Sequence, residues 1–156
     1  EDGADELDFV CNYEAFKAGN VELVKQEVYS GTLLALENHK VAKWIIEVAA
    51  LSDAQIIQLS ALIKNVIISN FKEDSYQHVF VKSSTGFYAT ENGLPNGATF
   101  PAVIMMLENA SPLPVKAAGG VRTYEEAEEM IRLGVKRIGT SAAKTIANGE
   151  TASGNY

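Results

Sequence analysis

Short apolar runs alternate with longer amphipathic stretches along the chain. The apolar runs predict strands at residues 7–12, 41–48, 78–83, 113–117 and 135–139. The helical pattern predicts helices at residues 21–37, 52–69, 123–134 and 141–148, and one more that begins after Thr99. In the first helix, the spacing places Leu23, Val24, Val28 and Leu34 near one face. This βαβαβαβαβα order predicts an α/β fold with a parallel sheet and right-handed crossovers.

Start and stop signals support these helices. Ser52 with Gln55, and Thr123 with Glu126, have the spacing of a capping box. Gly134 is suited to end the helix that Thr123 begins. We expect residues 1–150 to form one domain of five βα units, and residues 151–156 to form a flexible tail.

The composition is that of a globular protein, and it narrows the choice of partners. Hydrophobic residues make up 47% and charged residues 21% of the 156 residues. The formal net charge of −7 argues against a nucleic-acid partner and against an anionic membrane, because both require a basic surface. Cys11 is the only cysteine, so no internal disulfide can form, which suits a reducing cytoplasm. No signal peptide or bilayer-length apolar run is present, so we expect a cytoplasmic protein.

Two strands end in a lysine that is followed by a turn of small residues. Lys82 precedes Ser-Ser-Thr-Gly, and Lys116 precedes Ala-Ala-Gly-Gly. A buried lysine is costly unless it has a partner or a function. An amine is nucleophilic only when it is unprotonated, and a second cation beside it lowers its pKa from about 10.4. The two lysines therefore predict a paired-amine site for carbonyl chemistry through a Schiff base.

Strand alternation places several charged side chains on one face of the predicted sheet. This face holds Asp8, Lys43, Glu47, Lys82 and Lys116. In a barrel it would be the interior, with the active site at the carboxyl ends of the strands. An aspartate there could move protons during carbonyl chemistry. Less specific interpretations stay open: a solvated lysine at a strand end, a capping or ion-pairing role for Asp8, and a simple Lys43–Glu47 ion pair.

Glycine-containing turns precede two of the predicted helices and suggest a phosphate site. Gly119 and Gly120 follow the fourth strand, and Gly139 and Ser141 follow the fifth. Free backbone N–H groups at such turns suit a phosphate, and the last two loops of (β/α)₈ barrels often bind one. The alternative is that these glycines only form tight turns.

Taken together, these motifs resemble one enzyme family. Residues 5–8 (Asp-Glu-Leu-Asp), 82–86 (Lys-Ser-Ser-Thr-Gly) and 116–123 (Lys-Ala-Ala-Gly-Gly-Val-Arg-Thr) match the deoxyribose-phosphate aldolases in order and spacing. The resemblance runs over nearly the whole chain. It implies the (β/α)₈ TIM-barrel family, with only the last five βα units present, and a class I aldolase that forms a Schiff base.

The resemblance also implies roles for individual residues. Lys82 would be the Schiff-base lysine, Lys116 the second lysine that tunes it, and Asp8 the proton-transfer acid. Tyr156 is similar to a C-terminal tyrosine that shuttles protons in some members. The remaining matches are substrate- and phosphate-binding positions: Lys43, Gly86, Gly119, Gly120, Gly139 and Ser141. The substrate would be a small phosphorylated sugar, 2-deoxy-D-ribose 5-phosphate, and no metal or other cofactor is implied.

The chain departs from the family pattern at three places. Phe87 follows Gly86 where some members have a phosphate-contacting lysine, so weaker phosphate affinity is expected. Ala142 stands beside Ser141 where some members have a second serine. The first three βα units of the family are absent, and five units cannot close a barrel that typically needs about 250 residues.

The missing units leave alternatives open. Three explanations stay open: a sequence that is part of a longer chain, a barrel that closes by self-association into a homo-oligomer, and a remaining part that is supplied separately. Three functions follow: an active aldolase, another phosphate-binding barrel enzyme such as an isomerase or synthase, or an inactive fragment that associates with other chains.

Overall fold

A computed structural model of the chain describes residues 3–149. These residues form five strands: β1 (Glu6–Val10), β2 (Val41–Ile45), β3 (Val79–Lys82), β4 (Val115–Ala118) and β5 (Arg137–Gly139). The same residues form six α-helices, two of them between β1 and β2 and one after each later strand: α1 (Tyr13–Lys17), α2 (Val21–Glu37), α3 (Asp53–Asn70), α4 (Phe100–Ala110), α5 (Tyr124–Leu133) and α6 (Ala143–Ala147). Short 3₁₀ turns cover Val48–Ala50, Glu73–His78 and Glu91–Gly93.

The strands form one parallel sheet in the order β1-β2-β3-β4-β5, as the sequence pattern predicts. The register places Asp8 beside Lys43, and Lys82 beside Lys116. Each strand is therefore the immediate neighbour of the next one in sequence, which is the order that successive right-handed βα units produce. All carboxyl ends of the strands lie at the same edge.

The helices cover one face of this sheet and bury its apolar side chains. Val79, Val81 and Val115 have no exposed surface and pack in the hydrophobic core with residues of α2, α3 and α4. Their neighbours in sequence, among them Phe80, Lys82 and Lys116, point to the opposite face because side chains alternate along a strand. The apolar core therefore lies on the helical side, and the charged groups lie on the other.

Capping explains where the longer helices begin and end. Both predicted capping boxes form: the Ser52 hydroxyl accepts from the Gln55 N–H, and the Thr123 hydroxyl accepts from the Glu126 N–H. In return, the Gln55 and Glu126 side chains accept from the N–H groups of the capping residues. Gly134 ends α5 with φ of 115°, a left-handed conformation in which glycine is favoured.

One face prediction for α2 is wrong in part. Val24 and Val28 are buried as expected, but Leu23 and Leu34 are exposed. Thr32 is buried instead, since its hydroxyl accepts a 2.9 Å hydrogen bond from the indole N–H of Trp44 on β2. Trp44 thus satisfies the one buried hydroxyl on this face of α2.

The helix α1 was not predicted from the sequence. It is a single short element, and the Asn12 side chain caps it by accepting from the Ala15 N–H. Across residues 3–149, none of the helices has both the length and the apolar character that crossing a membrane requires.

Candidate active site

Charged side chains of the first four strands meet on the face of the sheet that the helices leave uncovered. The Asp8 carboxylate lies between two amines: its Oδ2 is 3.1 Å from Lys82 Nζ, and its Oδ1 is 3.2 Å from Lys43 Nζ. The lysine side chains are only 11% and 9% exposed, respectively, whereas Asp8 is 41% exposed. The structure therefore brings together three of the residues that the sequence placed on one face.

The Lys43–Glu47 ion pair that the sequence left open does not form. Lys43 instead contacts the carboxylate of Glu6, at 3.2 Å, in addition to that of Asp8. Glu6 also pairs with the Arg137 guanidinium, and this guanidinium lies 4.5 Å above the centre of the Phe80 ring. A chain of alternating charges therefore runs from β1 across the sheet to β5.

The carboxylates in this network are held in the ionised form. Partial burial of Asp8 tends to raise its pKa, but the ammonium groups of Lys82 and Lys43 outweigh that effect and keep the pKa below its ordinary value. The hydrogen bond from Arg137 is the main cause that lowers the pKa of Glu6, with Lys43 contributing in the same direction. The negative charges of Glu6 and Asp8 thus offset the positive charges of the lysine and arginine side chains around them.

Lys116 is set apart from these ion pairs. Burial, followed by the positive charges of Lys43 and Lys82, lowers the pKa of its amine. Its side chain passes directly over Gly139, where a Cβ atom would lie only 3.1 Å from Lys116 Cε. The Lys116 amine, beside Lys82 in the register of β3 and β4, therefore holds its proton less tightly than an ordinary lysine does.

The loop that follows β3, residues 83–86, is called the Lys82 loop here. The sequence predicts that Gly86 binds phosphate. In the structure, its N–H donates a 2.9 Å hydrogen bond to Ser84 Oγ in the same loop. Glu47 does not join the lysines on the open face, because β2 ends at Ile45 and Glu47 has φ of 56°. Its carboxylate accepts hydrogen bonds from Ser84 and Thr85 instead.

The two predicted phosphate turns lie side by side at the carboxyl ends of β4 and β5. Gly119 and Gly120 have φ of 77° and 84°, which glycine adopts without steric cost. The Thr140 hydroxyl, in the second turn, donates a 2.8 Å hydrogen bond to the Val121 carbonyl and so joins the two turns. Ser141 is exposed at the edge of this pair.

The comparisons with known proteins point to one group of enzymes. The deoxyribose-phosphate aldolase of Streptococcus gordonii is 36% identical over 157 aligned positions, which cover 100% of this chain and 63% of that protein. The chain is a homologue of the deoxyribose-phosphate aldolases. No protein-family model matches it.

Solved aldolase structures share the fold of this homologue. QR15, an aldolase, superimposes with a TM-score of 0.74 and 32% identity over 94% of this chain and 59% of its own. The deoxyribose phosphate aldolase of Aeropyrum pernix, described as tetrameric, gives a TM-score of 0.69 and 28% identity over 94% of this chain and 55% of its own. The five βα units therefore belong to the TIM-barrel fold family of these aldolases, and the chain spans less than two thirds of each relative.

The site of this aldolase homologue includes two residues that sequence reasoning missed. Glu6 lies two positions before Asp8 on β1, so the alternation of side chains placed it on the same face. Arg137 lies two positions before Gly139 on β5 and could have been found in the same way. Tyr156, the predicted proton shuttle, lies outside the described residues.

Proposed function

We propose that this chain carries the active site of an aldolase that reversibly cleaves 2-deoxy-D-ribose 5-phosphate. The products would be acetaldehyde and D-glyceraldehyde 3-phosphate. The observation that carries the proposal is the Asp8 carboxylate between the amines of Lys82 and Lys43, with the lowered pKa of Lys116 nearby. The similarity to deoxyribose-phosphate aldolases over the full chain supports the same reaction.

In the first step, the amine of Lys82 attacks the aldehyde carbon C1 of the open-chain sugar. The carbinolamine then loses water and leaves an iminium ion on Lys82. Asp8, 3.1 Å from Lys82 Nζ, is placed to carry protons to and from the oxygen that departs. Lys116, whose pKa is lowered, is a suitable acceptor for the proton that Lys82 must lose before it attacks.

In the second step, a base removes the proton of the C3 hydroxyl and the C2–C3 bond breaks. D-glyceraldehyde 3-phosphate leaves, and the electron pair moves toward the iminium nitrogen to give an enamine. Protonation at C2 and addition of water then release acetaldehyde and restore the free amine. Because the iminium is the electron sink, this scheme assigns no role to a metal or other cofactor.

The substrate phosphate is assigned to the paired turns after β4 and β5. Gly119 and Gly120 have left-handed backbones, and the Thr140 hydrogen bond holds their turn beside Ser141. Backbone N–H groups in such turns form concave sites for anions. We propose that this site, rather than the engaged N–H of Gly86, binds the phosphate.

We further propose that the active form is a homo-oligomer, because the two outer strands of the sheet have unpaired edges in the part of the chain that the structure describes. Within residues 3–149, β1 and β5 each pair on one side only, and exposed strand edges favour pairing with additional chain. The tetramer described for the Aeropyrum pernix relative is consistent with a homo-oligomer. Native mass spectrometry over a dilution series would measure this directly.

Trapping of the imine with borohydride tests the central assignment. The purified chain, shown to be folded by circular dichroism, is incubated with 2-deoxy-D-ribose 5-phosphate and borohydride, and the adduct is mapped by peptide mass. We expect a reduced adduct on Lys82 that disappears in Lys82→Ala. Lys40→Ala is the matched control, because Lys40 lies before β2 and pairs with Asp5 at the opposite edge of the sheet.

The alternatives predict different results. An adduct on Lys116 would reverse the roles of the two lysines. A folded sample that forms no adduct would contradict the aldolase assignment and favour an isomerase or synthase that uses neither amine, or an inactive chain.

A further inference from the structure

Glu47 is a buried acid whose position differs from that of the other charged groups in the site. Its residue is only 2% exposed, and it has φ of 56° and ψ of 67°, a region that residues other than glycine seldom occupy. Lys43, the lysine on the preceding strand, pairs with Glu6 and Asp8 rather than with Glu47. A buried carboxylate is costly unless hydrogen bonds compensate it, so its contacts are informative.

Within the described residues, all side-chain hydrogen bonds of Glu47 go to the Lys82 loop. The Ser84 hydroxyl shares its single proton between Glu47 Oε1, at 2.8 Å, and the Asn96 carbonyl, and the Thr85 N–H donates to Glu47 Oε2 at 3.2 Å. The Thr85 hydroxyl donates to Oε2 as well. Ser84 and Thr85 are the second and third residues after Lys82, so the carboxylate fixes the chain immediately beyond the proposed nucleophile.

The backbone around Glu47 holds the same segment. The Ile46 N–H donates to the Lys82 carbonyl at 3.0 Å, and the Val48 N–H donates to the Ser83 carbonyl at 2.9 Å. In a regular ladder these two donors would face carbonyls two residues apart, whereas here they face consecutive ones. The left-handed conformation of Glu47 produces this offset in the manner of a bulge, and bulges often re-aim side chains next to active sites.

We propose that Glu47 is a positioning residue that sets the direction of the Lys82 amine by fixing the Lys82 loop. This inference rests on the proposed function, in which Lys82 is the nucleophile. Glu47 does not contact the substrate in this scheme. It acts through Ser84 and Thr85, and its loss would leave the amine present but less well aligned with the carbonyl carbon.

The loop should survive the loss of the carboxylate, which makes the proposal testable. The Ser84 hydroxyl is also within 2.6 Å of the Asn96 carbonyl, so it keeps an acceptor when Glu47 is changed. Glu47→Gln retains the length of the side chain and one acceptor oxygen, but it replaces the other oxygen with an NH₂ group that cannot accept. Thr85→Val removes the Thr85 hydroxyl from the other side of the same contact, and it also removes the acceptor of the exposed Phe87 N–H.

The experiment compares these variants with a control that weakens the fold elsewhere. Ser52→Ala removes the cap of α3 without touching the Lys82 loop. Each protein is measured for Tm, for the rate of borohydride-trapped imine formation at Lys82, for kcat and KM, and for hydrogen exchange at the Thr85 amide. The acetylation rate of the Lys82 amine by acetic anhydride is measured as well, because it needs no substrate.

We expect Glu47→Gln to slow imine formation and kcat about tenfold, since small misplacements of a reacting group are costly, and to change KM much less. The Thr85 amide should exchange faster, and Thr85→Val should give the same pattern. The double variant should be no slower than the slower single variant, because both changes disrupt the same contact between Glu47 and the Thr85 hydroxyl. Ser52→Ala should lower Tm but form the imine at the wild-type rate.

Two results would overturn the proposal: imine formation at the wild-type rate in both Glu47→Gln and Thr85→Val, or equal slowing in Ser52→Ala at a similar loss of Tm. If the wild-type chain forms no imine, the proposed function has failed instead. The acetylation rate then decides the role of Glu47, and an unchanged rate for Lys82 in Glu47→Gln would reject it.

Discussion

The position of the Lys116 amine depends on the missing side chain of Gly139. A Cβ atom at residue 139 would lie 3.1 Å from Lys116 Cε and 3.2 Å from Ala118 Cβ, both tighter than ordinary contacts. The lysine methylene is flexible and can move, so Gly139→Ala should fold but displace the amine by a few tenths of an ångström. We expect kcat to fall about tenfold, less than the roughly 100-fold that a 1 Å misplacement can cost.

Steady-state kinetics separate this role of Gly139 from the phosphate-binding role that the family resemblance implies. If Gly139 mainly leaves space for Lys116, kcat falls and KM changes little. If its backbone binds the phosphate, KM for the phosphorylated substrate rises while kcat is largely retained. The Tm of Gly139→Ala provides the control, because a large decrease would show that Ala118, rather than Lys116, is the neighbour that has to move.

Between elements, the contact of α2 with β2 depends on another glycine. A Cβ atom at Gly31 would lie 2.8 Å from the ring of Trp44, which stacks on Phe9 and cannot easily shift. Alanine should favour the helix by up to about 1 kcal/mol over glycine, but overpacking typically costs about 1–3 kcal/mol. We therefore expect Gly31→Ala to destabilise the protein in urea unfolding, whereas the neighbouring exposed Ser30→Ala should change stability by less than about 0.5 kcal/mol. Stabilisation by Gly31→Ala would show that the ring is free to move.

The same contact shows which parts of the fold the sequence could predict. A helix cap depends on residues that are close in sequence, so Ser52 and Thr123 correctly predict where α3 and α5 begin. The buried face of α2 could not be found from apolar spacing, because Thr32 is buried through a hydrogen bond to Trp44 on another element. Glu47 was misplaced for a related reason: alternation assumes a continuous strand, and its left-handed backbone ends that alternation. Asp8, Lys43 and Lys82 lie within regular strands, where alternation holds, and they were grouped correctly.

Across the whole molecule, one ion pair joins the first strand to the last. Glu6 on β1 and Arg137 on β5 are 131 residues apart in sequence, and they meet over the open face of the sheet. Lys43 also pairs with Glu6, and the Arg137 guanidinium stacks on the Phe80 ring. The pair therefore links the two outer strands of the five-stranded sheet directly.

This contact predicts how stability depends on pH. The hydrogen bond from Arg137 is the main cause that lowers the pKa of Glu6 below its value in the unfolded chain, about 4.3. The folded state then binds fewer protons than the unfolded state, so the contribution of this ion pair to stability is fully present above about pH 5 and is lost as the pH falls through the folded pKa.

A double-mutant cycle of Glu6→Gln and Arg137→Met measures the coupling energy of the two side chains by urea unfolding. Because the side chains are 30% and 38% exposed, solvent screening limits the expected coupling near pH 7 to about 1 kcal/mol. The coupling should decline toward zero below about pH 4, and a coupling that is independent of pH would show that packing against Phe80, rather than charge, joins the two strands.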